Sequence, residues 1–295
     1  MTRINRKQIF ARYGIEYRSN NGGQILTPWG DWIAVLMPFD TNTKVGKAAT
    51  WSTKHGNRVY TVAEIAEFSE RVANVMKAIG IDSIKESCPC HCKGCYCDYG
   101  FFNMPTTRDG NFIKLIIATV YPNFLRNALL AQIEAFQIKQ VRINASGDFA
   151  INDEFIKVWC DVAIATQAEN AKDDVIFWTY TKEEKALKAF KGIRNIRITP
   201  SITPYGINYG TCGYLLNIYH KLTRDGYRVH ICCCGTPIEK ELNMHCATCW
   251  HGCKTVGTEC DFVLFIKHST NDYTAGQYDV EEYNAICEII RNQQN

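Results

Sequence analysis

No apolar run in this 295-residue chain approaches the roughly 20 residues that a membrane-spanning helix requires. The longest, WIAVLMPF at 32–39, is far too short. The opening stretch, MTRINRKQIFARYG, is basic and lacks the apolar centre of a secretory leader. There is no internal repeat, no low-complexity tract and no evident flexible linker. Neither sign of charge dominates: 33 Lys and Arg face 30 Asp and Glu, for a net +3. With 46% hydrophobic and 21% charged residues, the chain reads as globular and not disordered, without a membrane-spanning helix. The expectation is a globular protein of one large domain or two small ones, in a reducing cytoplasm. The one basic concentration is an N-terminal arm with Arg3, Arg6, Lys7, Arg12 and Arg18, which either meets phosphates or forms a solvated surface.

Cysteine is abundant, at 15 residues. In a reducing compartment clustered thiols serve metals or redox chemistry more readily than disulfides. Cys88, Cys90, Cys92, Cys95 and Cys97 crowd into ESCPCHCKGCYCDYG at 86–100. A second group, Cys232, Cys233, Cys234, Cys246, Cys249, Cys253 and Cys260 with His245 and His251, fills 232–260.

Around these groups the hydrophobic pattern alternates. Strand-like pieces lie in QILTPWGDWIAVLM. Thr61 and Glu64 form a capping box that opens a helix running to about Gly80, with Ile65, Phe68, Val72, Val75, Met76 and Ile79 as its apolar stripe. DSIKES is a short strand leading into the first cysteine group. Strands at 140–146, 175–181, 195–201, 227–233 and from 261 then alternate with helices at 123–136, DEFIKVWCDVAIA, KEEKALKAF, CGYLLNIYHKL and VEEYNAICEIIRN. Thr181 and Glu184 offer a second capping box. Six strands rich in Val and Ile, alternating with helices, predict a parallel α/β sheet. The fold class expected is a partial (β/α)6 TIM-type barrel, residues 82–295, with an N-terminal extension over 1–81 and a Cys-rich metal-binding insertion at 232–260.

Cys88-x3-Cys92-x2-Cys95 resembles the cysteine pattern of the radical S-adenosylmethionine (SAM) superfamily. That resemblance implies a [4Fe-4S] cluster held by Cys88, Cys92 and Cys95. Its fourth iron would be chelated by the amino and carboxylate groups of SAM, whose reductive cleavage yields a 5′-deoxyadenosyl radical. It also implies that the cluster loop follows the first barrel strand. The next strand ends in Ser146-Gly147-Asp148-Phe149, similar to the superfamily's turn at the SAM amino group. There Gly147 would permit close approach and Asp148 would accept from an ammonium. Tyr96, beside the third cysteine, is a candidate to pack on adenine or cluster. Ser201, at the end of the fourth strand, is a candidate for the ribose or carboxylate.

More narrowly, NTKVGKAATWS, CPCHCKGCY, RINASGDF, VIFWTYTK and CATCW together resemble the phage gene-product-88-like family. This implies a phage or prophage origin, and so the cytoplasm of a bacterial host. Two alternatives remain open at the first group: Cys90, Cys92, Cys95 and Cys97 could close a four-thiolate zinc site or a closed cluster. Cys246-x2-Cys249-x3-Cys253 has metal-ligand spacing, with Cys234 taken as fourth ligand among Cys232, Cys233, Cys234 and Cys260, for either a second [4Fe-4S] cluster or zinc. Cys160, Cys212 and Cys287 read as inert single thiols on helices.

The expected function is a radical SAM iron–sulfur enzyme using an external electron donor on an unknown substrate, nucleic acid or nucleotide among the candidates, with no membrane partner. The alternative is a metal-stabilised binding protein, with nucleic acid as one candidate ligand.

Overall fold

A computed structural model describes residues 5–38, 48–88, 104–207, 209–232, 260–266 and 279–293. It divides the chain into two compact units. The first comprises Met1–Phe39, Ala48–Phe177 and Glu183–Ile196; the second comprises Asp40–Lys47, Trp178–Lys182 and Arg197–Asn295.

In the first unit a short helix, α1 (Arg6–Arg12), precedes a three-stranded antiparallel sheet of β1 (Tyr17–Arg18), β2 (Gln24–Leu26) and β3 (Trp32–Ala34). Three cations of the basic arm are engaged internally, while Lys7 is exposed. The Arg6 guanidinium lies 4.4 Å from the Phe136 ring centre, Arg12 pairs with Glu134, and Arg18 lies 4.3 Å from the Trp32 ring centre. Arg3 lies outside the described residues.

Next come β4 (Ala49–Thr50), β5 (Val59–Thr61), and helices α2 (Val62–Phe68) and α3 (Glu70–Ala78). The capping box of Thr61 and Glu64 forms as the sequence demands. The single helix expected from it is instead two. Ser69 adopts an extended conformation (φ −157°, ψ 110°), and its side chain caps α3 by accepting from the Val72 N–H. Residue types that compete for backbone hydrogen bonds prefer caps to helix interiors, and here the cap wins over the continuous stripe. Ile65, Val72 and Met76 are buried, whereas Phe68 and Ile79 stay exposed.

β6 (Ser83–Lys85) leads into the first cysteine group, but it pairs antiparallel with β5 in a sheet of two. It is not the first strand of the parallel sheet. That place is taken by β4, which pairs parallel with β7 (Gln140–Arg142), after helices α4 (Pro105–Val120) and α5 (Pro122–Ala135). The pair is legible only in three dimensions, since Ala49 and Val141 are neighbours across a long crossover. Helix α6 (Asp153–Ala165) follows, then β8 (Ile176–Thr181), α7 (Glu184–Ala189) and β9 (Ile196–Pro200), completing a four-stranded sheet in the order β4-β7-β8-β9. The capping box expected at Thr181 does not form; Glu183 caps α7 through the Lys185 N–H.

The two faces of β4 and β7 differ. Ala49, Trp51, Val141 and Ile143 are fully buried and apolar. Trp51 meets Trp159 and Phe155 of α6 at ring-centre distances of 5.8 and 6.3 Å, and Phe149 continues the aromatic cluster to Phe155 and Phe190. The alternate positions, Thr50, Ser52, Arg142 and Asn144, are polar. A parallel sheet buried wholly among helices reads apolar on both faces, and this polar face departs from that pattern.

In the second unit β10 (Ile202–Thr203) and β11 (Gly206–Ile207) form a short antiparallel pair. β12 (Tyr209–Gly210), helix α8 (Cys212–Arg224), β13 (Val229–Cys232), β14 (Phe262–Ile266) and helix α9 (Val280–Asn292) follow. Both β12 and β13 run parallel to β14, giving the order β12-β14-β13. Leu215, Ile218 and Leu222 of α8, Ile231, Leu264 and Ile266 of the strands, and Ile286 and Ile290 of α9 form its core. Cys212 and Cys287 sit inside that core as the sequence suggests, and burial pushes the Cys212 thiol up to about 11. Mixed α/β architecture with parallel strand pairs is therefore established; among the described residues the strands form separate sheets and not one closed barrel.

Candidate metal and cofactor site

Cys88 is half-buried at the end of the segment that β6 begins. Three backbone hydrogen bonds fix that segment: Glu86 N–H to Arg58 O (2.8 Å), Ser87 N–H to Lys54 O (3.1 Å) and Cys88 N–H to Gly56 O (3.0 Å). The irregular segment 53–58 is thus the floor beneath the cysteine, a role that its sequence does not announce.

The turn at 146–149 lies against the same segment. The Asp148 N–H donates to Ser87 Oγ (3.1 Å), and the Ala150 N–H donates to Ser87 O (3.0 Å). Thr53 Oγ1 donates to Ser87 Oγ (3.0 Å), which in turn donates to Lys54 O (2.8 Å). Ser146 Oγ donates to Thr53 O (3.2 Å) and stands 3.4 Å from His55 Nδ1. Ser87 and Ser146 are fully buried, and Asp148 nearly so. So Cys88 and the 146–149 turn are brought together, with Ser87 as their junction.

Gly147 adopts φ +85°, a region that side chains avoid. A Cβ there would lie 2.2 Å from Ser87 Oγ and 2.3 Å from Thr53 Oγ1. Glycine is therefore required for the turn to seat on the Ser87 hydroxyl. Asp148 also folds back on the turn, accepting from the Phe149 N–H (2.7 Å). The Phe149 ring packs among Phe155 and Phe190 and is 1% exposed, so it anchors the turn to the core.

Beside this junction Glu86 is buried. Its carboxylate accepts from the Arg58 N–H (3.0 Å) and from the Tyr60 hydroxyl (2.8 Å). Burial first, and then that hydrogen bond to a carboxylate, hold the Tyr60 phenol well above its ordinary range. Gly56, at φ +109°, leaves room for Glu86 Oε2, which a Cβ would approach to 2.1 Å. Ser87, Thr53, Gly56 and Glu86 were not singled out by the sequence. Their only signal there is adjacency to Cys88 or a glycine in an otherwise unpatterned stretch.

Ser201 belongs to the second unit, where its N–H donates to Thr181 O (2.8 Å). Tyr96, Cys92, Cys95, Cys234, Cys246, Cys249 and Cys253 lie outside the described residues. Among the described residues no group of three or more His, Cys, Asp or Glu gathers as a metal site. Cys232 and Cys260, which bracket the second cysteine-rich segment, are both buried and pack in one cluster with Val263.

The architecture and this junction define an α/β protein whose cysteine-bearing segment and Gly-Asp turn are built as one piece. The chain belongs to the gene product 88 family: the family model matches residues 38–209, more than half of the chain, and spans both the first cysteine group and the turn. No curated protein and no solved structure matches the chain. No helix among the described residues is long and apolar enough to cross a membrane.

Proposed function

We propose that this protein is a radical SAM iron–sulfur enzyme. The observation that carries the reading is the junction at Ser87: one hydroxyl links the residue beside Cys88 to the backbone of Asp148. The resemblance implies that a cluster ligand and an ammonium acceptor are neighbours, and the contact between the segment of Cys88 and the 146–149 turn supports that reading. Of the proposed donors, Cys88, Gly147 and Asp148 are among the described residues, and their chemistry is compatible with the group. Cys88 offers a half-exposed thiol, the ligand type that iron–sulfur clusters use. Gly147 keeps the turn tight, and Asp148 supplies a carboxylate suited to an ammonium.

When bound, the cluster and SAM would supply a reductively generated carbon radical. The chain's own residues divide the remaining work. Cys88, with Cys92 and Cys95, would donate thiolates. Asp148 would orient the amino-acid end of SAM, Ser87 would hold Asp148 in place, and the aromatic cluster behind Phe149 would keep the turn rigid and dry. The second cysteine group would hold a separate metal. The electron donor would be external.

The test is anaerobic reconstitution with iron and sulfide, followed by SAM and dithionite. Production of 5′-deoxyadenosine by the wild type, with loss of iron in Cys88→Ala and retention of iron with weaker SAM binding in Asp148→Ala, is the expected result. A colourless protein loaded with zinc, or a cluster that SAM leaves spectroscopically unchanged, overturns it in favour of a closed thiolate site.

A further inference from the structure

Just beyond β7 the chain departs from a regular ladder, at Asn144. The Trp51 N–H donates to Arg142 O (2.9 Å), as the parallel register requires, but Trp51 O accepts from the Ala145 N–H (3.0 Å) and not from that of Asn144. Asn144 is therefore the additional residue of a bulge, and its φ is +55°. Bulges re-aim side chains, and they gather beside functional sites. Asn tolerates the left-handed region better than most residues, yet glycine does so without strain.

The side chain is also buried, at 4% exposure, and neither its Oδ1 nor its Nδ2 has a hydrogen-bond partner. Buried amide groups in folded proteins are almost always paired. Asn144 thus combines two destabilising features, each of which glycine would remove. It stands two residues before Ser146, on the strand that delivers the 146–149 turn. A buried carboxamide without a protein partner, two residues ahead of the turn, is preorganised for a ligand.

We infer that Asn144 reads the adenine edge of SAM bound at this turn, an inference that rests on the SAM-binding reading above. A carboxamide presents an acceptor and a donor side by side in one plane. In SAM the amino-acid end is charged and suits Asp148, and the ribose hydroxyls rotate freely. Only adenine offers a rigid coplanar donor beside an acceptor, the pairing that Asn makes with adenine in nucleic acids.

The experiment uses the full chain, reconstituted without oxygen, and measures equilibrium binding of SAM and of S-inosylmethionine, in which a carbonyl replaces the 6-amino donor. The variants are Asn144→Gly and Asn144→Asp. Wild type is expected to prefer SAM. In Asn144→Gly the SAM affinity falls by about ten-fold or more and the preference collapses. Its melting temperature is unchanged or raised and its iron content is unaltered. Asn144→Asp, which keeps the shape but loses the donor, also weakens SAM. Unchanged SAM affinity and preference in Asn144→Gly overturn the inference while leaving SAM binding intact. A lowered melting temperature in both variants assigns Asn144 a structural role and overturns it as well. A wild type that binds neither compound removes the SAM reading itself, and this inference with it.

Discussion

The backbone N–H of Asp148 donates to the hydroxyl of Ser87 over 3.1 Å, across 61 residues of sequence. That hydroxyl has no spare capacity: it accepts from Asp148 and Thr53 and donates to Lys54 O. Three of the hydrogen bonds that hold the junction therefore converge on one buried oxygen.

Ser87→Ala removes that oxygen and with it three hydrogen bonds in a buried setting. The expected loss is about 2–3 kcal/mol of stability, read as a lower midpoint in urea unfolding. On the iron–sulfur reading proposed above, the reconstituted variant also loses iron faster than the wild type on exposure to chelator. An unchanged midpoint would show that Ser87 is not the junction.

Gly147→Ala puts a methyl group where the Ser87 and Thr53 hydroxyls already stand, in a backbone conformation of φ +85°. Both effects act in the same direction, and a destabilisation of more than about 2 kcal/mol is expected. The penalty should shrink when Ser87→Ala is also present, because one of the two obstructing oxygens is then gone. Strict additivity of the two substitutions would contradict the contact.

Tyr60 titrates above its ordinary value of 10.0, because of burial and then because of its hydrogen bond to Glu86. Glu86→Gln removes the charge and leaves the burial. The phenol should then move down only part of the way. Ultraviolet titration, with Tyr60→Phe as the subtraction control, measures it. The absence of any movement would mean that Glu86 does not act on Tyr60.

Lys114 lies with its ammonium 5.6 Å from the Trp51 ring centre, and burial pushes its pKa down to about 8. Between about pH 8 and its ordinary 10.5 the unfolded chain holds the proton and the folded chain does not. Stability linked to this group therefore rises with pH across that window. Compared with Lys114→Met, the wild type should gain stability from pH 8 to pH 10 and show no relative change from pH 6 to pH 7. Parallel pH profiles for the two proteins would exclude a depressed Lys114.

Local signals in the sequence read well where they act locally. The box of Thr61 and Glu64 forms, the helices at Asp153–Ala165 and Val280–Asn292 match their patterned segments, and Cys212 and Cys287 settle in an apolar core. The capping residues and the 3.6-residue period carry that information within a few positions. Ser69 is where two local signals competed, and its cap interrupts the stripe.

Pairing across distance was not legible in the same way. DSIKES and the segment at Ala49–Thr50 are both short, and nothing in either tells which one joins β7. Register is settled by which side chains meet, and Trp51 secures it by burying its ring against Trp159 and Phe155. The sequence by itself determined the cysteine spacing and the Ser-Gly-Asp-Phe turn, because both depend on residue type and on separation along the chain. Only the tertiary structure decided that Ser87 would join them, that Glu86 would be buried against Tyr60, and that Asn144 would be left as a bulge with an unsatisfied amide. Those outcomes follow from packing and hydrogen-bond geometry between segments that are remote in sequence, which no local pattern encodes.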